Sequence, residues 1–380
     1  MTSNPSVSIS KKALIHNFMQ IKKLSGDCKI MCAVKGNAYG HGIKTVVELL
    51  EKYTDMYVVA RISEAKSLRD IGITKPITIL GGYSNYQELQ DSVKVKCELV
   101  IHNFHQIDLL EKYQEVNKLK KFWLKIDTGM NRMGIPIFFA KEAIKKIKKL
   151  NLQSEIGLMT HLSDAEILTK PKNTRQLDLF SELVDGFEGD ISFANSAAIM
   201  NMREYKKTYK WNNKGNVWVR PGIALYGISP LSGISSEHLN LRAVMTFKSK
   251  LISIKKISKG ESVGYNSTWI AKNDTKVGTV SVGYGDGYSK SLKSGTPVLL
   301  NNKNLPLIGL VSMDLINVDL TDLSECSIGD EVILWGEGLP IEEIAKISDL
   351  SAYSLACLLY TSRAHETDSY LVCRLLLEKK

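Results

Sequence analysis

The sequence has no CxxC pair and no repeated metal-ligand spacing. Its six cysteines, Cys28, Cys32, Cys97, Cys326, Cys357 and Cys373, are scattered along 380 residues. That argues against a metal cluster or disulfide framework and for buried free thiols in a reducing compartment. Long apolar runs are missing too. No segment approaches the roughly 18 uninterrupted apolar residues of a membrane span, and the start, MTSNPSVSISKK, lacks an apolar stretch of signal-peptide length. A cytoplasmic protein is expected, so the Asn266-Ser267-Thr268 sequon should carry no glycan. Arginine-rich tails and basic stripes interleaved with aromatics are also absent, which excludes nucleic acid as the natural partner despite a net charge of +10. The densest basic cluster, Lys141, Lys145, Lys146, Lys148 and Lys149, alternates with Ala140, Ala143, Ile144, Ile147 and Leu150 at helical spacing. It reads as the solvated face of an amphipathic helix. Internal repeats and low-complexity segments are not found.

What is present is a chain longer than one average domain, with ordinary hydrophobic content (44%) and charged content (24%) and thus room for a large core. Short, mostly β-branched runs lie at 30–34, 56–60, 77–80, 98–101, 122–126, 156–160, 191–194 and 217–219, with amphipathic segments between them at 43–52, 63–71, 106–117, 141–150 and 174–186. Parallel strands need a crossover of a dozen or more residues, so this alternation predicts an α/β fold: a parallel (β/α)8 TIM-type barrel. A doubly wound open sheet fits the same periodicity. After about residue 235 the pattern changes to alternating runs at 245–254, 276–282, 297–300, 307–311, 316–319 and 331–335, broken by turn residues such as Asn301-Asn302 and Gly329-Asp330. That predicts a mainly antiparallel β domain, closed by helices near 341–347 and 353–360. The expected division is 10–235 for the barrel and 236–380 for the β domain, which residues 1–9 could join.

A barrel carries its function just past the carboxyl ends of its strands. Lys35 follows the first run, Arg132 the fifth, and His161 ends the sixth; Asn195 and Ser196 follow the seventh, and Arg220 and Gly222 the eighth. Lys35 lies in Ala33-Val34-Lys35-Gly36-Asn37-Ala38-Tyr39-Gly40-His41-Gly42. A lysine ending a buried strand beside glycines suits a Schiff-base amine, because partial desolvation lowers its pKa and makes it nucleophilic. A lysine snorkelling from a barrel rim fits equally well. Gly283-Tyr284-Gly285-Asp286-Gly287 is not a dinucleotide-binding GxGxxG, and its β-domain setting lacks the strand-turn-helix that motif needs. His102 and His105, three apart on an expected helix, gather no further metal ligands and read as surface residues.

The Lys35 segment resembles the cofactor-lysine motif of the alanine racemase family, enzymes dependent on pyridoxal phosphate (PLP). The resemblance continues through Arg132-Met133-Gly134, Met159-Thr160-His161, Asn195-Ser196-Ala197-Ala198, Arg220-Pro221-Gly222-Ile223, Gly264-Tyr265 with Thr268-Trp269, 283–288 and Met313-Asp314. It implies that Lys35 holds PLP and is the base on one face of the substrate α-carbon, while Tyr265 from a partner subunit is the base on the other. Inverting a stereocentre needs one group to remove the proton and another to return it from the opposite side. It implies further that Arg220 faces the pyridine nitrogen and His161 the ring. Tyr39, Asn195, Ser196, Gly222, Ile223 and Tyr360 would surround the cofactor and its phosphate. Arg132 and Met313 would hold the substrate carboxylate, and Asp164, Tyr284 and Asp314 would line a narrow entrance. Lys125, in Trp123-Leu124-Lys125-Ile126-Asp127, points inward and can carry a carbamate in the family.

The expected function is interconversion of L- and D-alanine by an obligate homodimer with shared sites, supplying D-alanine for peptidoglycan. A broader-specificity racemase, a PLP decarboxylase and a non-catalytic PLP carrier are the alternatives. A decarboxylase would pair the ring nitrogen with a carboxylate, against Arg220, and a carrier needs no second base such as Tyr265.

Overall fold

The computed structural model describes residues 4–113, 118–150, 154–209 and 211–359. The amino-terminal strand β1 (Ser6–Ile9) leads into a helix, Lys11–Ser25, that the sequence reading did not single out. Ser10 caps that helix through its side chain, and Leu14, Phe18 and Ile21 recur on its buried face. Next come β2 (Lys29–Ala33), β3 (Met56–Val59), β4 (Ile77–Ile79), β5 (Glu98–Ile101) and β6 (Lys121–Asp127). The short β7 (Ile135–Pro136) precedes β8 (Glu155–Met159), β9 (Ile191–Asn195) and β10 (Val217–Arg220). Strands β2, β3, β4, β5, β6, β8, β9 and β10 pair in that parallel order, and β10 returns to β2 with Trp218 opposite Lys29. The sheet therefore closes into the eight-stranded barrel, which rules out the open sheet.

Alternation along each strand sorts the side chains. Cys32, Tyr57, Leu99, Phe122, Leu124, Leu158 and Val219 pack outward against the helices. Met31, Met56, Val58, Val100, Trp123, Met159 and Trp218 form a separate cluster that fills the barrel interior. The period of two then dictates that Lys121 and Lys125 share the inward face of Trp123, and Arg220 that of Trp218. Lys121 lies at the floor, where it pairs with Asp190 and sits 4.9 Å from the Trp123 ring centre. Lys125 and Arg220 lie at the mouth.

Downstream are β11 (Met245–Ile257), β12 (Ser262–Val263), β13 (Trp269–Ile270), β14 (Thr275–Val280), β15 (Pro297–Leu300), β16 (Lys303–Ile308), β17 (Ile316–Asp319) and β18 (Glu331–Trp335). Strands β11, β14, β17, β16, β15 and β18 form an antiparallel ring, since β18 pairs back onto β11. The run expected at 307–311 begins earlier, at Lys303, because Lys303–Ile308 makes a hairpin with β15. Strand β1 pairs antiparallel with β11, Ser6 opposite Lys248. β12 and β13 form a separate hairpin. Helices Ile341–Ile347 and Ala352–Leu358 follow. Among the described residues no helix is long and apolar enough to cross a membrane, no group of side chains is arranged to hold a metal ion, and Cys28, Cys32, Cys97, Cys326 and Cys357 are free thiols.

Candidate active site

A cavity of about 320 Å³ opens at the carboxyl ends of the barrel strands, bounded by Lys35, Tyr39, Lys125, Arg132, His161, Asn195, Ser196, Arg220, Gly222, Ile223 and Tyr353. A larger cavity, about 510 Å³, lies behind the Tyr226 ring where the two domains meet, but the converging cations belong to the smaller one.

Lys35 stands one residue beyond the buried Val34 and opens an unusual turn. Gly36, Asn37, Ala38 and Tyr39 all adopt left-handed dihedrals, with φ of 61°, 52°, 56° and 54°. Such a run is costly for residues with a Cβ, and hydrogen bonds hold it. The Gly40 N–H donates to the Gly36 carbonyl at 3.0 Å, and the Ile43 N–H donates to Asn37 Oδ1 at 2.7 Å. Lys35 and Tyr39, at the two ends of the turn, both line the cavity. Burial, then the neighbouring Arg132, pushes the Lys35 pKa below its ordinary value, while Glu64 and Cys357 oppose this. The neutral, nucleophilic amine is thereby more accessible.

Arg220 is buried at the end of β10. Its guanidinium donates to Ser192 Oγ at 2.5 Å and to the Thr160 carbonyl at 2.6 Å, and lies 3.4 Å from His161 Nδ1. Burial lowers its pKa to about 10, still well above neutrality, so it stays a cation. Burial and this cation in turn hold the His161 pKa well below its usual value, so the imidazole is neutral at pH 7. An electron acceptor placed against Arg220 would meet a donor, never a base.

Beside it lies a cradle for an anion. Asn195 caps the short helix Ser196–Met200, its side chain accepting from the Ala198 N–H. Ser196 Oγ accepts the N–H groups of Gly222 at 2.8 Å and Ala224 at 3.3 Å. A Cβ on Gly222 would lie 2.6 Å from Tyr39 Oη, so only glycine lets that hydroxyl approach. Tyr353 faces the same end, its ring 6.4 Å from that of Tyr39. The sequence reading had named Tyr360 here, which lies outside the described residues, and had missed Tyr353. The two tyrosines are seven apart in sequence, and the family resemblance pointed only to the later one.

Arg132 sits on a loop folded back upon its own strand. The Asp127 carboxylate accepts the N–H groups of Gly129 at 2.8 Å and Asn131 at 3.1 Å, and Ile135 then pairs beside Ile126. Lys125 stands beneath; burial, followed by Arg220, Arg132 and Lys35, lowers its pKa to about 8.

Other expected residues are not brought together here. Tyr265 is 69% exposed, Met313 54% and Tyr284 42%, and with Asp314 they stand on the β domain away from this cavity. Tyr265 starts the tight turn between β12 and β13. The Tyr284 and Met313 loops are stapled together, the Tyr284 N–H donating to the Ser312 carbonyl at 3.0 Å and the Gly285 N–H to that of Met313 at 2.9 Å. Asp164 adjoins the cavity without lining it; hydrogen bonds from Ser163 and Lys170 lower its pKa to about 2. His102 is not helical: it precedes the Asn103 cap and bonds the Gly81 carbonyl at 3.1 Å.

The comparisons with known proteins agree with one another. The family profile described as alanine racemase, N-terminal domain, matches residues 9–230, and that described as alanine racemase, C-terminal domain, matches 244–367. The alanine racemase of Pasteurella multocida is 41% identical over 348 residues, 91% of this chain and 94% of that one. Among solved structures, the biosynthetic alanine racemase of Pseudomonas aeruginosa superposes with a TM-score of 0.89 at 32% identity, covering 97% of this chain and all (100%) of that one. The alanine racemase of Acinetobacter baumannii gives 0.86 at 33% identity, with the same coverage.

Proposed function

The chain belongs to the alanine racemase family and racemises alanine, and from that premise we propose that it does so with pyridoxal 5'-phosphate, through Lys35 and the partner subunit's Tyr265. The donor set fits the cofactor: a partly desolvated lysine, a guanidinium, and a hydroxyl-and-amide cradle that a Cβ on Gly222 would close. When bound, pyridoxal phosphate draws the electron pair left at the substrate α-carbon into its ring. Lys35 would hold its aldehyde carbon, while Ser196, Gly222, Ile223, Tyr39 and Tyr353 would surround the phosphate, with Asn195 fixing the helix start. Arg220, a fixed donor, would face the ring nitrogen and leave it unprotonated. That weakens the electron sink and favours rapid return of the proton over side chemistry. Neutral His161 would lie against the ring without adding charge.

The α-carbon needs a base on each face. Lys35 serves one and the partner's Tyr265 the other, while Arg132 and the backbone of the partner's Met313 hold the substrate carboxylate; a guanidinium fork matches that group bidentately. Asp164, Tyr284 and Asp314 would restrict the entrance to small amino acids. The enzyme would act in the cytoplasm as a homodimer and supply D-alanine for peptidoglycan. Lys125, an amine with a lowered pKa among cations, is suited to carry a carbamate that orients Arg132.

The observation that carries this reading is the position of Arg220, buried at the floor of the cavity that Lys35 lines. A decarboxylase would pair the ring nitrogen with a carboxylate at that point, and a cofactor carrier would need no second base such as Tyr265. Incubation with L-alanine in deuterated water tests it: α-hydrogen exchange should accompany D-alanine formation. Cofactor-loaded protein showing no exchange would sink the reading, and CO2 release would favour decarboxylation.

A further inference from the structure

Glu64 lies behind the cavity rather than in it, yet its carboxylate binds the turn that carries Lys35. Oε1 accepts the N–H of Gly36, the residue after Lys35, at 2.6 Å. Oε2 accepts the N–H groups of Ala60 at 2.7 Å and Arg61 at 3.1 Å, just beyond the end of β3. One side chain thus ties the exit of the first barrel strand to that of the second. Glu64 itself stands in the first turn of the helix Ile62–Asp70, where the helix dipole favours an anion.

The tie acts at a strained point. Four successive left-handed residues follow Lys35, a conformation that crowds the Cβ of each non-glycine among them. At its far end the turn is held by Asn37 and Ile43; at its head, beside Lys35, it is held by Glu64. Three N–H donors on two oxygens call for a carboxylate, since a Gln amide would set an NH2 group against one or more backbone N–H groups. Glu64 also brings a negative charge near a lysine otherwise surrounded by Arg132 and Arg220.

We infer that Glu64 is a positioning residue for the reaction: it fixes the direction of Lys35 by anchoring Gly36. The inference rests on Lys35 being the cofactor lysine. Borohydride reduction of the cofactor-loaded parental enzyme, followed by peptide mapping, tests that premise separately, because cofactor trapped elsewhere would overturn the Lys35 assignment itself.

With Lys35 established, Glu64→Gln in the full chain tests the tie. Misplacing a base by a fraction of an ångström to an ångström should lower kcat by about 10- to 100-fold, with KM nearly unchanged. In cofactor-stripped protein, the pH midpoint for acetic anhydride labelling of Lys35 should fall by about one pH unit once the anion is gone. Amide exchange over residues 34–42 should quicken. A folded Glu64→Gln protein with parental kcat, labelling midpoint and exchange overturns the inference. A purely structural role would lower the melting temperature and leave the labelling midpoint in place. Should Glu64→Gln not fold, Glu64→Asp carries the test: it keeps the charge and shortens the reach, so exchange over 34–42 should quicken while the midpoint stays. Unchanged exchange in that variant overturns the inference.

Discussion

At the scale of single residues, the site works by arranging cations of different character around one small cavity. Lys35 and Lys125 are amines held below their ordinary pKa by burial and by the arginines beside them. Arg220 remains charged, and His161 is forced neutral. Burial lowers all of them, but from different ordinary values, so at pH 7 Arg220 stays a donor while His161 carries no charge. Substitution separates the two expected bases. Lys35→Ala should abolish both racemisation and the visible absorbance of the bound cofactor. Tyr265→Phe should keep the absorbance and lose about 10²- to 10⁴-fold in rate, the usual worth of a positioned acid–base group, with proton removal from L-alanine impaired. Parental rates in both directions for Tyr265→Phe would remove it from the mechanism.

At the scale of elements, the left-handed turn at 36–39 and the segment 220–226 must touch for the anion cradle to form. Gly222 is where they meet: Tyr39 Oη occupies the space a Cβ would need. Gly222→Ala should therefore displace the tyrosine hydroxyl and weaken cofactor retention by about tenfold, or about 1.4 kcal/mol, followed as loss of absorbance on dilution. Unchanged retention would mean that Tyr39 does not serve the phosphate. Much of this scale was legible in the sequence. The eight barrel strands came through because they are short β-branched runs buried on both faces, a pattern solvated loops do not produce. The helix Lys11–Ser25 and the β12–β13 hairpin were not singled out. The hairpin's strands are two residues each, too short to show alternation. Tyr353 was likewise not singled out, since only its packing against the turn at Tyr39 marks it.

At the scale of the whole molecule, the expected site residues lie in two separate places. The cavity holds Lys35 and Arg132, whereas Tyr265, Tyr284 and Met313 stand exposed on the β domain. If each site joins one barrel to the neighbour's β domain, two inactive variants should complement each other. Co-expressing Lys35→Ala with Tyr265→Phe would give mixed dimers with one intact site, and statistical pairing in a two-fold dimer would restore roughly a quarter of parental activity. Absence of recovery in isolated mixed dimers would mean that both bases come from one chain.

The sequence by itself determined the eight alternating strands, the residues at their ends and the inward direction of Lys125, because strand periodicity is local and each side chain's face follows from counting; closure into a barrel rather than an open sheet came from the pairing of the last strand with the first. Tertiary structure alone decided that Glu64 reaches back to Gly36 from 28 positions along the chain. It also decided that Tyr353 meets Tyr39. These contacts join elements whose separation in sequence carries no periodic signal, and they form only when the barrel closes and brings the ends of its strands together.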